Sequence, residues 1–347
     1  MAINPQVQAL FTLLDISANP NEITGLNTQA LETLAGGPGS DYILGQGNDY
    51  LEGGAGIDAI NGGAGGRDTA GYANASNGVT VLMTVGGLGT AIGGDGLADT
   101  LTGIENVVGS NFDDTITGDN LANVLAGLGG NDTLNGGGGN DILVGGAGAD
   151  VLNGGAGIDT ADYSTSTVGG VTVGLAGAGS GGDAAGDTYS GIETVIGTNF
   201  DDVIGSGRTG SVTLYGGNGA DSLTSVSTGS CVLVGGAGND QLSGLFGTGA
   251  VTYKYLAPDD FVAGERIVAF NNDKIDLSAI DAIPSTPADD PFHFGSDLGG
   301  IVITQQNSIS DLITFGGGLV GVITVGLDVT FFGDPLRGHL TAADFIL

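Results

Sequence analysis

From Gly109 to Gly154 a glycine returns every nine residues, through Gly118, Gly127, Gly136 and Gly145. Five residues after each stands an acid or its amide: Asp114, Asn123, Asp132, Asp141, Asp150 and Asp159. Two residues further on comes an apolar group: Ile116, Leu125, Leu134, Leu143, Leu152 and Ala161. Three phases held in step this long confine the chain to a repeat architecture, in which each unit packs on its neighbours. A nine-residue unit divides into a six-residue turn and a three-residue strand. In GGGGND (136–141) the glycines tolerate positive φ, and Ile142, Leu143 and Val144 form the short extended piece. Two units then close one coil of eighteen residues. Leu134 and Leu143 point inward from opposite walls, and their counterparts in adjacent coils stack above and below at about 4.8 Å. The expected class is all-β, a right-handed parallel β-roll or β-helix solenoid of roughly twelve layers and about 55–60 Å.

The unit recurs less regularly as GGPGSDYIL from Gly36, GQGNDYL ending at Leu51 and GGAGIDAIN from Gly53, and again as GGNGADSLT from Gly216 and GGAGNDQLS from Gly235. A larger duplication lies over it. DTAGY (68–72) matches DTADY (159–163), and GIENVVGSNFDD (103–114) matches GIETVIGTNFDD (191–202), which marks two longer units at 68–114 and 159–202. Before the repeats, Val7, Leu10, Phe11, Leu13 and Leu14 recur at helical spacing, and a second short helix is expected after Asn27 with Ala30, Leu31 and Leu34 on one side. The chain thus divides into a helical cap or assembly segment (1–35), the roll (36–248) and a β-rich domain (249–347). The last holds four of the six basic residues, Lys254, Arg266, Lys274 and Arg337.

Composition removes several classes of function. Thirty-nine acids against six Lys and Arg give a net charge of −33, which repels nucleic acid. Cys231 is the sole cysteine, so neither an internal disulfide nor a thiolate metal cluster is expected, and a buried thiol is the simplest role. No apolar run is long enough to span a bilayer. Residues 1–66 contain no Lys or Arg, and Asn4 and Pro5 interrupt Met1–Leu14, so no N-terminal export signal is expected. His293 and His339 cannot build a HExxH zinc site, and no GxSxG elbow is present. The pairs Asp113/Asp114 and Asp201/Asp202 imitate a carboxylate dyad, but without cleft aromatics they read as turn residues. No enzymatic activity is expected.

GGGGNDILV and GGAGADVLN resemble the GGxGxDxΦx nonapeptide of RTX (hemolysin-type) proteins. FNNDKIDLSAIDA (270–282) and LTAADFIL (340–347) look like the domain that follows the roll in serralysin-type proteases, here without a protease domain. The resemblance implies a calcium-binding parallel β-roll, calcium-dependent folding and an extracellular destination reached through a type I secretion apparatus.

Calcium is a hard cation that takes six to eight oxygens. One glycine-rich turn ending in Asp closes half of such a shell, and the turn one coil away supplies the rest. Asp114, Asp132 and Asp150 are expected along one edge, with Asp141 and Asp159 along the other, where Asn123 weakens the first site. Asp58 and Asp240 sit in intact units, while Asp41, Asp49, Asp202 and Asp221 lie where the spacing slips. In GGAGGRD an extra glycine displaces Asp68 and brings Arg67 to the ligand place. About ten Ca²⁺ would add roughly +20 to the charge. Repulsion keeps the metal-free roll open, so that binding and folding are one equilibrium. The resulting expectation is a secreted structural protein that assembles with itself head to tail, as a surface layer, filament or matrix subunit. A cell-surface glycan remains an open partner. The rival readings are a secreted enzyme or effector and an ice- or surface-binding solenoid.

Overall fold

The structure is a computed structural model that describes residues 32–254 apart from 38, 46, 64–65, 95–96, 208–209 and 245–249, together with Leu256 and the backbone of six later strands. The helix expected over residues 7–14 lies outside this range. Of the second expected helix, the described part is a strand: Glu32–Ala35 pairs in parallel with Asp49–Glu52, and Leu34 sits opposite Leu51. A place in the stacked apolar column overrides the helical spacing of an isolated segment.

The described residues form two compact units, divided inside the second long unit: one runs up to Thr167 and includes Gly177–Ile192, the other comprises Val168–Ala176 and the strands from Glu193 onward. In the first, one wall stacks Glu32–Ala35, Asp49–Glu52, Thr69–Gly71, Asn106–Val108, Val124–Gly129, Ile142–Ala147 and Thr160–Asp162 in that order. The other is a nine-stranded sheet that begins with Thr188–Ser190, Val151–Ala156, Thr133–Gly138 and Thr115–Thr117. Every neighbour in these runs for which the register is defined is parallel, as in Leu125 opposite Leu143 and Leu134 opposite Leu152. These four leucines are 0% exposed, and each such burial contributes about 1.5–3 kcal/mol.

The first long unit keeps the nine-stranded sheet continuous by folding back on itself. Thr80–Thr84, Leu88–Ile92 and Ala98–Thr102 form an antiparallel meander whose outer members pair in parallel with Thr115–Thr117 and Ala59–Asn61. The second compact unit repeats the two-walled scheme. Thr194–Ile196, Val212–Asn218, Cys231–Ala237 and Val251–Lys254 stack in one wall; Thr172–Gly174, Val203–Gly205, Ser222–Ser225 and Gln241–Gly244 stack in the other. Parallel stacking continues past the last nonapeptide: Arg266–Ala269 pairs with Gln241–Gly244, and Lys274–Asp276 with Val251–Lys254. Among the described residues it gives way to antiparallel pairing between Gly326–Phe331 and Ser310–Phe315 and between Ser310–Phe315 and Ile301–Asn307. Cys231 is buried in its wall.

At the turns the glycines do what their spacing implies. Gly137 has φ 101°, and a Cβ there would run into the Asp119 carbonyl, so only glycine gives both the dihedral and the close approach. Leu128 (φ 82°) is the one non-glycine with positive φ among the described residues.

Candidate metal centre

The acids of the repeats form ladders along the turn edges. In each rung one carboxylate oxygen, Oδ1, accepts the backbone N–H of the acid one coil earlier. Asp114 N donates to Asp132 Oδ1, Asp132 N to Asp150 Oδ1 and Asp141 N to Asp159 Oδ1, each at 2.8 Å across eighteen residues. Asn123 N meets Asp141 in the same way. The edges are those read from the spacing.

The irregular units keep the ladder too. Asp41 N donates to Asp58 Oδ1, Asp202 N to Asp221 Oδ1 and Asp221 N to Asp240 Oδ1, at 2.8–2.9 Å. Asp49 N donates to Asp68 Oδ1 at 2.9 Å. Asp68 is therefore a rung despite the extra glycine. Arg67 does not replace it: its N–H reaches Asn48 Oδ1 and its guanidinium the Ala122 carbonyl.

Two rungs were not visible in the spacing. Asp58 N donates to Asp99 Oδ1 and Asp150 N to Asp187 Oδ1, at 2.9 and 2.8 Å, across 41 and 37 residues. Each of these acids resumes the ladder after a long unit. The shared DTxxGIE of residues 99–105 and 187–193 is the signal that could have found them.

The second oxygen, Oδ2, separates the rungs into two kinds. At Asp58, Asp132, Asp141, Asp150 and Asp221 it is buried and has no hydrogen-bond partner. These turns are open. A Cβ on Gly136 would meet both Asp141 Oδ2 and the Gly154 carbonyl, and a Cβ on Gly216 would meet Asp221 Oδ2 and the Gly235 carbonyl. The first glycine of the turn thus leaves a cradle faced by a carboxylate oxygen and a carbonyl of the next coil. Asp159 and Asp240 are buried rungs as well.

Other turns are closed by their own groups. Ser110 donates to Asp114 from both N and Oγ, to Oδ2 at 2.5 Å and Oδ1 at 2.8 Å. Thr198 treats Asp202 identically, at 2.6 and 3.0 Å. Asn123 is satisfied by Asp119 N–H and the Glu105 carbonyl, Asp41 Oδ2 by Gly37 N–H, and Asp187 Oδ2 by the Tyr163 hydroxyl at 2.7 Å. The acid pairs behave as turn residues: Asp113 and Asp201 accept the N–H groups of Asn131 and Ala220.

Burial is the main reason that these carboxyls resist ionisation without a cation. Asp132 and Asp221 are pushed up to about 8, and Asp141 and Asp150 to about 7. The backbone N–H opposes the shift, and the neighbouring rungs add to it, Asp150 acting on Asp132 and Asp240 on Asp221. An ionised carboxylate buried with one oxygen unpaired is costly unless a cation meets it.

Among the described residues no three His, Cys, Asp or Glu side chains gather at one point. A cation here must therefore draw on backbone carbonyls for most of its oxygens. That all-oxygen set suits Ca²⁺ and is a poor match for thiophilic metals. Orphaned carboxylate oxygens facing glycine carbonyls pass the test for a calcium site at the open turns.

A parallel roll with carboxylate ladders along its turns defines a calcium-binding β-roll. The comparison with protein families agrees. The RTX calcium-binding nonapeptide repeat (4 copies) matches residues 31–58, 44–66, 99–127, 126–161, 205–225 and 232–249. The chain thus carries RTX calcium-binding repeats, and the matched segments leave out most of both long units. No curated protein matches it. No helix among the described residues is long and apolar enough to cross a membrane.

Proposed function

We propose that this is a secreted, non-enzymatic calcium-binding structural protein that folds outside the cell as Ca²⁺ fills its open turns, and then assembles with itself. The observation carrying the reading is the set of buried, unpartnered oxygens at Asp58, Asp132, Asp141, Asp150 and Asp221. In a chain at net charge −33 these positions favour the roll only when cations neutralise them. Calcium supplies positive charge and six to eight oxygen contacts. The chain supplies one carboxylate per turn, carbonyls held close by glycine, and walls of leucine that fix the coil spacing. Type I export fits RTX repeats generally and the resemblance of the tail to serralysin-type proteins. An exported chain meets abundant calcium only after leaving the cell.

Assembly is argued from the stacked walls, since the terminal strand of any such wall pairs with another chain unless something covers its edge. A head-to-tail contact is heterologous and propagates into a filament or sheet unless it closes into a ring. Negative-stain microscopy and light scattering with and without millimolar calcium test both halves. Filaments or sheets in calcium, with dispersed chains in chelator, are expected. A chain that folds in calcium yet stays monomeric at high concentration overturns the assembly half alone.

A further inference from the structure

The two long units begin with the same turn, and the differences between their sequences fall on one spot. Residues 68–76 (DTAGYANAS) align with 159–167 (DTADYSTST). The backbone hydrogen bond is the same in both: Ala75 N donates to the Tyr72 carbonyl and Ser166 N to the Tyr163 carbonyl, each at 2.9 Å. In the first unit Gly71, Ala73 and Ala75 are apolar. A Cβ on Gly71 would strike the Tyr50 ring, and Tyr50 belongs to a buried apolar cluster against which Ala73 packs. In the second unit those three positions are Asp162, Ser164 and Ser166.

All three bring an oxygen that makes no hydrogen bond of ordinary geometry among the described residues, although the Ser164 side chain stands near enough to Asp162 to favour its ionised form. Asp162 Oδ2, Ser164 Oγ and Ser166 Oγ are buried and lack hydrogen-bond partners. Asp162 is 1% exposed and Ser166 5%. Asp162 Oδ1 accepts Ser164 N–H at 2.8 Å, which ties the carboxylate to the turn. Buried polar atoms in native proteins nearly always have a partner, whether protein, water or ion. Three orphans in one turn, at the three positions where its apolar twin has none, call for a ligand.

We propose that Asp162, Ser164 and Ser166 form a cation site separate from the nonapeptide ladder, taking one hard divalent cation, Ca²⁺. The donors are a carboxylate and two hydroxyls, an all-oxygen set with a single negative charge. Burial pushes the Asp162 carboxyl up when no cation is present, so the ion and the ionised side chain enter together. The site lies two residues beyond the start of the Thr160–Asp162 strand, where the regular coil gives way to the long unit. A cation there ties that departure down.

The test converts the second turn into the first. Asp162→Gly/Ser164→Ala/Ser166→Ala installs the residues that the first unit already uses in the same turn. Calcium bound per chain is counted by equilibrium dialysis and native mass spectrometry, with circular dichroism as the folding control. The variant should fold and bind one Ca²⁺ fewer than wild type, and Asp162→Asn should lose the same ion. An unchanged count in either variant overturns the proposal. If the substituted turn does not fold, Asp162→Asn decides alone. The inference rests on calcium being the ligand of the roll, and the two failures look different. A wild-type chain that binds no calcium at all refutes the roll reading, whereas equal non-zero counts refute only the site at Asp162.

Discussion

The turn ending at Asp132 and the turn ending at Asp114 stand one coil apart and share a rung, yet they are held by different means. At Asp132 the carboxylate accepts Asp114 N–H and leaves its other oxygen buried without a partner. At Asp114 the corresponding oxygen takes Ser110 N–H, while Oδ1 accepts Val79 N–H and Ser110 Oγ. Thr198 and Asp202 repeat the second arrangement at the end of the other long unit. The same carboxylate position thus serves two purposes. Where Ser110 or Thr198 follows the first glycine, the chain completes the turn itself; the turn of Asp132 carries Leu128 there, and those of Asp58, Asp141, Asp150 and Asp221 a glycine, neither of which brings a hydroxyl to the carboxylate. The turns closed by Ser110 and Thr198 fall where the repeat resumes after a long excursion, so register there is held by hydrogen bonds that need no metal.

Chelation should break this contrast most severely. In excess EGTA at neutral pH most of the β signal in far-UV circular dichroism should disappear, and calcium should restore it. Hydrogen exchange at intermediate calcium should show Ser110–Asp114 and Thr198–Asp202 closing before Gly127–Asp132 and Gly136–Asp141. Uniform protection along the chain would erase the distinction between open and closed turns.

The second largest effect is expected from pH without calcium. Unfolded Asp carboxyls titrate near 3.9, whereas in the folded, metal-free roll Asp141 and Asp150 rise to about 7 and Asp132 and Asp221 to about 8. The folded state then binds more protons, so the stability these groups contribute is full below about pH 4 and is lost as pH rises through 7–8. In EGTA the roll should form in acid and open toward pH 8. A metal-free roll that is more stable at pH 8 than at pH 5 would contradict the assignment.

Single substitutions sharpen the comparison further. Asp132→Ala should raise the calcium concentration at the folding midpoint about tenfold or more and reduce cooperativity, since it removes a carboxylate from an open turn. Ser110→Ala should instead cost about 1–2 kcal/mol, measured as nearly the same loss at low and at saturating calcium. Smallest of all, Tyr163→Phe removes the hydroxyl that Asp187 accepts and should cost about 1 kcal/mol in urea unfolding of the calcium-loaded chain. A loss of bound calcium in Tyr163→Phe would mean that Asp187 belongs to the open kind.

Spacing alone placed Asp114, Asp132 and Asp150 on one edge and Asp141 and Asp159 on the other, because a period of nine in a coil of eighteen leaves no other stacking. It could not place Asp99 or Asp187, whose partners Asp58 and Asp150 lie 41 and 37 residues away. An excursion of that length hides the rung even though its motif is intact. The helical spacing around Leu34 pointed the wrong way for a related reason: its strand pairs with Asp49–Glu52, whose position the segment itself does not encode.

The sequence by itself determined the roll, its glycine turns, its leucine columns and the identity of most rungs, since each follows from the nine-residue period and from what a glycine, an acid and an apolar residue can do at fixed spacing. Only the tertiary structure decided which rungs are open. Ser110 and Thr198 stand only four residues before the acids they close, but whether another carboxylate's second oxygen meets a tyrosine or nothing depends on how coils and long units lie against one another, and hydrogen bonding across stacked turns leaves no trace in the local order of residues.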